Sequence, residues 1–173
     1  MVATALGVNM HVYWAGLVAD LWRQGDKSLE WLLKEAMAGE VFNAGHSERG
    51  NDLPALLSTA KAERVEGGFR FTGHKMFGSL APVWTRYGLH ALWADAEGGP
   101  KIVHAFMPRD TKGHRIVETW DTMGMRSDDV VLEGAFANSS SSTSCRPGHG
   151  ATAAGETMTG RQRPPRLRPR FPA

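Results

Sequence analysis

The chain contains almost no cysteine and no long apolar run. Cys145 is the single cysteine among 173 residues, which excludes an internal disulfide and fits a reducing cytoplasm. No uninterrupted apolar stretch reaches the roughly 18 to 20 residues of a membrane span, so no membrane association is predicted. The first 22 residues are fairly apolar, but they lack a basic start and contain Asn9, His11 and Asp20, which argues against a secretory signal. These absences predict a soluble, cytoplasmic protein.

Two common signatures of ligand binding are also missing. The seven histidines include no pair at the i, i+3 or i, i+4 spacing of helical metal ligands, which predicts no metal site and histidines scattered over the surface. No Gly-x-Gly-x-x-Gly motif follows a predicted strand, so a Rossmann-type nucleotide site is not expected. The sequence contains no visible internal repeat.

The positive charge is concentrated in the last part of the chain. The net charge is +2, and residues 137–173 contain six arginines and one glutamate, a balance of +5, which leaves −3 for residues 1–136. An arginine-rich segment attracts nucleic acid electrostatically, but this one has no lysine and no folded module to read bases. Nucleic-acid binding is therefore not predicted.

The first 39 residues have the pattern of a helical hairpin. From residue 2 to residue 24 the large apolar side chains fall three or four positions apart, which places them on one face of a helix. Gly25 ends this helix, Asp26 is suited to cap a second one, and Gly39 ends the second. The predicted inner face of the second helix consists of Leu29, Leu32, Leu33, Ala36 and Met37. Residues 1–39 are predicted to form one helical unit.

The pattern changes to short alternating strands after Gly39. Runs rich in Val, Phe, Thr and Trp alternate with turn signals, of which residues 66–68 (Glu-Gly-Gly) indicate a tight hairpin. Seven strands are predicted, at residues 41–45, 57–65, 69–77, 87–93, 101–107, 114–120 and 130–136. Many short strands with few helical interruptions predict an antiparallel β-barrel or sandwich over residues 40–136, and hence an α+β chain.

Residues 137–173 have the composition of a disordered tail. They run from a serine-rich segment through Gly, Ala and Thr to a segment of arginine and proline, and they hold five of the nine prolines. So few large apolar side chains cannot offset the conformational entropy lost on ordering. Disorder is predicted from Ala137 onward.

The stretch from Phe69 to Ser79 carries the strongest chemical signal. Its first residues alternate as a half-buried strand does, and the alternation then stops at Phe77, Gly78 and Ser79. A ring, a residue without Cβ and a small hydroxyl suit a flat cofactor, which needs stacking, close backbone approach and a polar anchor. An ordinary strand end has the same residue types, and this stretch alone leaves both interpretations open.

Three motifs in one order resemble the acyl-CoA dehydrogenase family. They are residues 47–52 (Ser-Glu-Arg-Gly-Asn-Asp), residues 75–79 (Lys-Met-Phe-Gly-Ser) and residues 120–126 (Trp-Asp-Thr-Met-Gly-Met-Arg). The resemblance covers residues 1–136. It implies the end of the family's N-terminal helical domain followed by most of its middle β-domain.

The resemblance implies an FAD site and a neighbouring acyl-CoA site. The implied flavin contacts are Phe42, Gly45, His46, Ser47, Phe77, Gly78 and Ser79. By the same likeness, Ser47 supplies a hydroxyl to the flavin, Phe77 packs on its ring system, and Ser79 hydrogen-bonds near N5, the atom that receives hydride. Asn51 and Arg126 are implied to lie at the thioester substrate.

The function implied by the resemblance is α,β-dehydrogenation of an acyl-CoA thioester, in which a base removes the α-proton while the β-hydride passes to the flavin. Family members carry a C-terminal helical domain that contributes the catalytic glutamate and most of the oligomer contact, and nothing after Phe136 resembles it. We therefore name no catalytic residue and expect a truncated copy with little activity alone, assembled as a homo-oligomer or with a partner subunit. Three alternatives stay open. The first is a flavin-dependent monooxygenase of the same fold, favoured by Phe77 where the family has Trp. The second is a non-catalytic remnant or binding module, and the third, which the composition favours least, is a nucleic-acid tether formed by the arginine-rich segment.

Overall fold

The predicted helical hairpin is present at the start of the chain. The computed structural model describes residues 2–51, 57–122 and 125–145. Helix α1 is Val2–Arg23 and helix α2 is Glu30–Met37. Gly25, at φ 94°, makes the left-handed turn after α1. Asp26 Oδ1 accepts a hydrogen bond from Ser28 N (2.9 Å), but Leu29 is the residue that precedes α2 and no side chain caps this helix, so the predicted capping by Asp26 is wrong. Neither helix in the described part of the chain combines the length and apolarity needed to cross a bilayer.

Nine strands follow the helices within the described residues. They are β1 (Phe42–Gly45), β2 (Lys61–Val65), β3 (Gly68–Ser79), β4 (Arg86–Trp93), β5 (Lys101–Pro108), β6 (His114–Val117), β7 (Asp121–Thr122), β8 (Met125–Asn138) and β9 (Ser142–Cys145). The sheet has the order β6-β8-β3-β2-β4-β5-β9, with β1 paired to β4 and β7 paired to β8 beside this path. The predicted α+β arrangement, a helical hairpin followed by a β-domain, is thereby confirmed.

The sheet is mixed, which differs from the predicted antiparallel barrel. Most neighbours are antiparallel, including β3 with β8 and β4 with β5. Strand β1 instead runs parallel to β4, pairing Phe42 with Arg86, and β2 meets the end of β4 in parallel at Lys61 and Leu92. Parallel neighbours need a long connection. Residues 46–85 supply it here, because the hairpin of β2 and β3 lies between β1 and β4 in the chain.

Two apolar clusters hold the structure together. One lies within the curled sheet, where Phe71, Trp84 and Tyr87 are fully buried. The other lies between the helices and the sheet and consists of Trp14, Val18, Leu32, Phe42 and Phe106. This second cluster attaches the helical hairpin to the sheet, since its members come from α1, α2, β1 and β5.

Several predicted boundaries are corrected by the structure. The strand expected at residues 57–65 begins only at Lys61, and the one expected at 114–120 ends at Val117. Met37 was expected on the inner face of α2 but is 89% exposed, because it is the last residue of a short helix and lies beyond the contact with the sheet.

Order continues past the predicted boundary at Ala137. Strand β8 extends to Asn138 because its partner β3 begins at Gly68, which pairs with Asn138. A turn at Ser139–Ser141 follows, and β9 then pairs with β5. Pairing through the backbone does not require apolar side chains, so composition alone did not reveal this strand. The rest of the predicted disordered tail, residues 146–173, lies outside the described residues.

Candidate functional site

The loop after β1 lies against the second half of β3. We call residues 46–51 the Ser47 loop. Met76 N–H donates to the Ser47 carbonyl oxygen (2.8 Å), and Glu48 forms an isolated antiparallel bridge with Lys75. These contacts place Ser47 beside the residue that precedes Phe77. Two of the three sequence motifs, which are far apart in the chain, therefore meet in space.

Phe77 is presented to solvent by an unusual backbone conformation. It has φ 55°, a left-handed value that is uncommon for a residue with a side chain, and Leu80 has φ 63°. The ring of Phe77 is 46% exposed and lies edge-on to Trp120, with 5.6 Å between ring centroids and 72° between the ring planes. An outward aromatic side chain on a strained backbone is typical of a binding surface, because packing alone would not select it.

Ser79 and Gly78 lie deeper than Phe77, at the contact between β3 and β8. Ser79 is 8% exposed, and its Oγ lies 2.8 Å from Ser127 Oγ. A Cβ on Gly78 would lie 2.8 Å from the carbonyl oxygen of Asp128, so glycine is needed for the two strands to approach. The amide of Asn43 donates to the Ser79 carbonyl oxygen and ties β1 to the end of β3.

A buried ion pair that the sequence analysis did not single out connects the Ser47 loop to β3. The side chains of Glu48 and Lys75 are both fully buried, and Lys75 Nζ donates to Glu48 Oε1. Burial alone would raise the pKa of Glu48, but the Lys75 ammonium and the hydrogen bonds to the carboxylate outweigh this effect and lower it. Burial lowers the pKa of Lys75 to about 8, against the opposing effect of Glu48.

Three histidines form a second cluster, in which His90 is fully buried and His46 and His104 are partly buried, contrary to the prediction of scattered surface histidines. The ring centroids of His46 and His90 are 5.0 Å apart, and those of His90 and His104 are 5.7 Å apart. Burial is the main cause that lowers the pKa of His46 and His90 to about 3 and that of His104 to about 4. The prediction failed because these residues are brought together by strand pairing and not by helical spacing.

The imidazoles of this cluster leave several ring nitrogens unpaired. Within the described residues, His46 Nε2, both nitrogens of His90 and His104 Nδ1 are buried without a hydrogen-bond partner. No group of three or more His, Cys, Asp or Glu in that same part of the chain is arranged to hold a metal ion. The cluster is a set of neutral rings, of which His46 packs against Trp14 of α1.

Two further predicted flavin contacts occupy packing positions. The ring of Phe42 is fully buried beside His11 and Phe106 in the cluster under the helices. A Cβ on Gly45 would lie 2.2 Å from the hydroxyl oxygen of Tyr87, so this glycine makes room for a core aromatic side chain. A flavin contact through the backbone of either residue stays a prediction.

The two predicted substrate contacts lie in different surroundings. Asn51 Nδ2 donates to Glu48 Oε2 (2.8 Å), which directs this amide toward the buried ion pair. Arg126 donates to Asp128 through Nε (3.1 Å) and Nη2 (2.7 Å) and pairs with Glu118 (2.8 Å). The structure does not bring Asn51 and Arg126 into contact. Their role at a substrate stays a prediction.

Arg126 also lines a cavity beside the N-terminal half of α1. The cavity has a volume of about 440 Å³. Its walls are mostly apolar and include Gly7, Val8, Leu80 and Val83. A larger cavity of about 650 Å³ is lined by other residues and includes none of the predicted site residues. Arg126 is thus the only one of the predicted site residues that lines either of these two cavities.

Comparison with known proteins identifies relatives of two kinds. No protein family profile matches the chain. The chain is 30% identical over 140 residues to the amino sugar nitrososynthase DnmZ of Streptomyces peucetius, an alignment that covers 75% of this chain and 33% of that protein. It is 27% identical over 141 residues to the mitochondrial 2-methylacyl-CoA dehydrogenase of Solanum tuberosum, which covers 78% of this chain and 33% of that protein. The chain spans about a third of the length of these curated relatives.

Solved structures share the fold over the same part of the chain. One of them is KijD3 in complex with FMN and dTDP-3-amino-2,3,6-trideoxy-4-keto-3-methyl-D-glucose, with a TM-score of 0.67 and 23% sequence identity. The superposition covers 84% of this chain and 36% of the KijD3 chain. The FAD complex of PigA has a TM-score of 0.55 at 18% identity, and the superposition covers 65% of this chain and 30% of the PigA chain. A probable acyl-CoA dehydrogenase of Mycobacterium abscessus has a TM-score of 0.57 at 15% identity, and the superposition covers 70% of this chain and 33% of that chain. The chain thus has the acyl-CoA dehydrogenase fold in this region, and solved proteins of that fold carry FMN or FAD, in agreement with the predicted flavin.

Proposed function

We propose that this chain forms the flavin-facing part of a flavin-dependent oxidoreductase. The observation that carries the proposal is the exposed ring of Phe77, held outward at φ 55° next to the Ser47 loop. A residue with a side chain in the left-handed backbone region is destabilising by about 1 to 3 kcal/mol, and such residues cluster at functional sites. FAD is the flavin that we propose, and FMN is the alternative.

The residues present fit a flavin. Phe77 offers a ring that a flat heterocycle can stack against, and Trp120 lies beside it as a second exposed aromatic side chain. Ser47 Oγ makes no hydrogen bond within the described part of the chain, so its hydroxyl is free to bind a polar edge of the cofactor. Ser79, two residues after Phe77 in β3, supplies a second hydroxyl, which is hydrogen-bonded to the Ser127 hydroxyl. The bound flavin would supply the electron-transfer chemistry.

We propose oxygenation of an amino nitrogen as the reaction. The support is the likeness to the nitrososynthases, whose names state an amino sugar as the substrate. One atom of O₂ would enter an N–H bond of the amine and the other would leave as water, with two electrons supplied from reduced flavin. The residues described here would bind and orient the flavin for this reaction.

Dehydrogenation of an acyl-CoA thioester is the second candidate. It is favoured by the order of the three motifs and by the likeness to the Solanum tuberosum enzyme. The two reactions differ in their use of oxygen. Anaerobic bleaching of bound flavin by an acyl-CoA would support dehydrogenation, whereas amine-dependent oxygen uptake with a supplied flavin reductase would support oxygenation. The predicted homo-oligomer or partner subunit also stays a proposal, for which sedimentation velocity is the test.

The flavin site is tested by replacing Phe77 with alanine. We expect FAD to quench the tryptophan fluorescence of the wild-type chain, and Phe77→Ala to weaken FAD binding about tenfold through loss of ring stacking, which is worth about 0.5 to 1.5 kcal/mol beyond burial. Phe136→Ala is the matched control, because Phe136 is 42% exposed on β8 and is not a proposed flavin contact. Equal affinity of the wild type and the Phe77 variant would refute this site.

A further inference from the structure

We propose that the buried pair of Glu48 and Lys75 is a latch that docks the Ser47 loop onto β3 and so positions Ser47 and Phe77 for the flavin. This inference rests on the proposed function, since the flavin is the ligand that the positioned residues would meet. Both residues act through their neighbours and are therefore positioning residues.

The carboxylate of Glu48 is the centre of this latch. It accepts hydrogen bonds from Ser58 Oγ (2.5 Å), Thr59 N (2.6 Å) and Thr59 Oγ1 (2.9 Å), in addition to Asn51 Nδ2 (2.8 Å) and Lys75 Nζ. One side chain therefore joins three segments: the Ser47 loop, the chain just before β2, and β3. A carboxylate that accepts this many bonds keeps its segments in one arrangement.

The position of Lys75 in β3 explains why the latch controls Phe77. Lys75 is fully buried, Met76 donates its N–H to the Ser47 carbonyl oxygen, and Phe77 follows at once with its left-handed backbone. The side-chain ion pair holds two backbone contacts in register: the β-bridge between Glu48 and Lys75, and the hydrogen bond from Met76 N–H to the Ser47 carbonyl oxygen. Removal of the ion pair would loosen both contacts. The orientation of Phe77 relative to Ser47 would then no longer be fixed.

The charge of Lys75 makes the latch sensitive to alkaline pH. The ionisable groups that interact with the ammonium are Glu48 and His46 in the Ser47 loop, His90 in β4 and His104 in β5, and Tyr87 in β4 interacts with the carboxylate of Glu48. The pKa values of the three histidines are lowered and that of Tyr87 is raised, mainly by burial, so these groups stay neutral between pH 7 and 9.5. The pKa of Lys75 is about 8, so this residue loses its charge in that interval.

The test combines hydrogen exchange with flavin titration on the full chain. The variant Glu48→Gln/Lys75→Met removes both charges at similar volume, which avoids an unpaired buried charge and favours folding. We expect the protection factor of the Met76 amide to fall about tenfold or more in this variant, with amides between β4 and β5 unchanged. In the wild type this protection, and FAD affinity with it, should decrease as the pH rises through about 8, and in the double variant both should be independent of pH.

A matched control is Glu35→Gln, which breaks the pair with Arg86 that joins α2 to β4. It should change neither FAD affinity nor the protection of Met76 relative to that of the amides between β4 and β5. Unchanged Met76 protection in the double variant would overturn the latch, whether or not the protein binds FAD. Lost protection with unchanged FAD affinity would overturn its positioning role. Absence of FAD binding in the wild type would overturn the proposed function, and the exchange result alone would then decide on the latch.

Discussion

At the scale of single residues, glycines and charges mark where the chain is under the tightest constraint. Gly45 lies against the Tyr87 hydroxyl, and Gly78 lies against the backbone of β8. Lys75 is a charged residue in a fully buried position. Each of these residues belongs to one of the sequence motifs or lies within two residues of one.

We predict that Gly45→Ala destabilises the protein. The new Cβ would lie 2.2 Å from the Tyr87 hydroxyl oxygen, and Tyr87 is fully buried. Overpacking of this kind costs about 1 to 3 kcal/mol in the free energy of unfolding. Urea denaturation measures the change.

The control for this prediction is Gly16→Ala. Gly16 lies inside α1, and a Cβ there would meet nothing within 4 Å. Alanine in a helix interior is more favourable than glycine by about 0.8 to 1 kcal/mol, so this variant should be slightly stabilised. Loss of stability in both variants to the same degree would contradict the packing role of Gly45.

The alternation of β3 contained a signal for the buried lysine. Phe69, Phe71, Gly73 and Lys75 occupy the same phase of the strand, and the first two are buried. A lysine in the inward phase calls for a buried partner. The identity of that partner was not predictable, because Glu48 lies in a loop whose path depends on the parallel pairing of β1 with β4.

At the scale of elements, the spacing of apolar residues and the positions of turn-forming residues predicted most of the helices and the local hairpin. The hairpin of β2 and β3 appears where residues 66–68 indicate a turn, and α1 ends where Gly25 stops its apolar stripe. Pairing between distant segments was not predictable. Parallel neighbours, the histidine cluster and β9 all depend on which strand edges meet, and the sequence pattern of one strand does not encode its neighbour.

The docking of α2 gives a prediction at this scale. Leu32 is fully buried between the helix and the sheet. Leu32→Ala should therefore lower the free energy of unfolding by about 2 to 5 kcal/mol, through lost burial and the cavity left behind. Thermal or urea unfolding followed by circular dichroism would measure it.

Met37→Ala in the same helix is the matched control. Met37 is 89% exposed, so its truncation should change the free energy of unfolding by less than about 0.5 kcal/mol. Similar losses from both variants would show that α2 is not held to the sheet by the apolar cluster around Leu32.

At the scale of the whole molecule, the buried histidines couple stability to pH. In the fold, burial lowers the pKa of His46 and His90 to about 3 and that of His104 to about 4, compared with 6.5 for an unfolded histidine. The unfolded chain therefore binds more protons between these values. The stabilisation is fully present above pH 6.5 and decreases as the pH falls toward 4.

We predict that the free energy of unfolding decreases between pH 7 and pH 5, with up to about 1.4 kcal/mol per pH unit for each buried imidazole in the steepest part. Urea unfolding at several pH values measures the slope. His104→Gln removes one titrating ring. The plot of unfolding free energy against pH should therefore be less steep in this variant, by up to about 1.4 kcal/mol per pH unit, which corresponds to one proton. An equal slope in the wild type and in this variant would exclude His104 as a source of the pH dependence.

The pairing of β9 with β5 determines which backbone groups the sheet leaves open on that side. Ile102 to Ala105 face Cys145 to Ser142, so the apolar strand β5 is shielded from further strand addition. An uncovered edge of this kind is a template for aggregation, because its free N–H and C=O groups recruit strands from other molecules. The outermost strand on this side is therefore the short, serine-rich β9 and not the apolar β5.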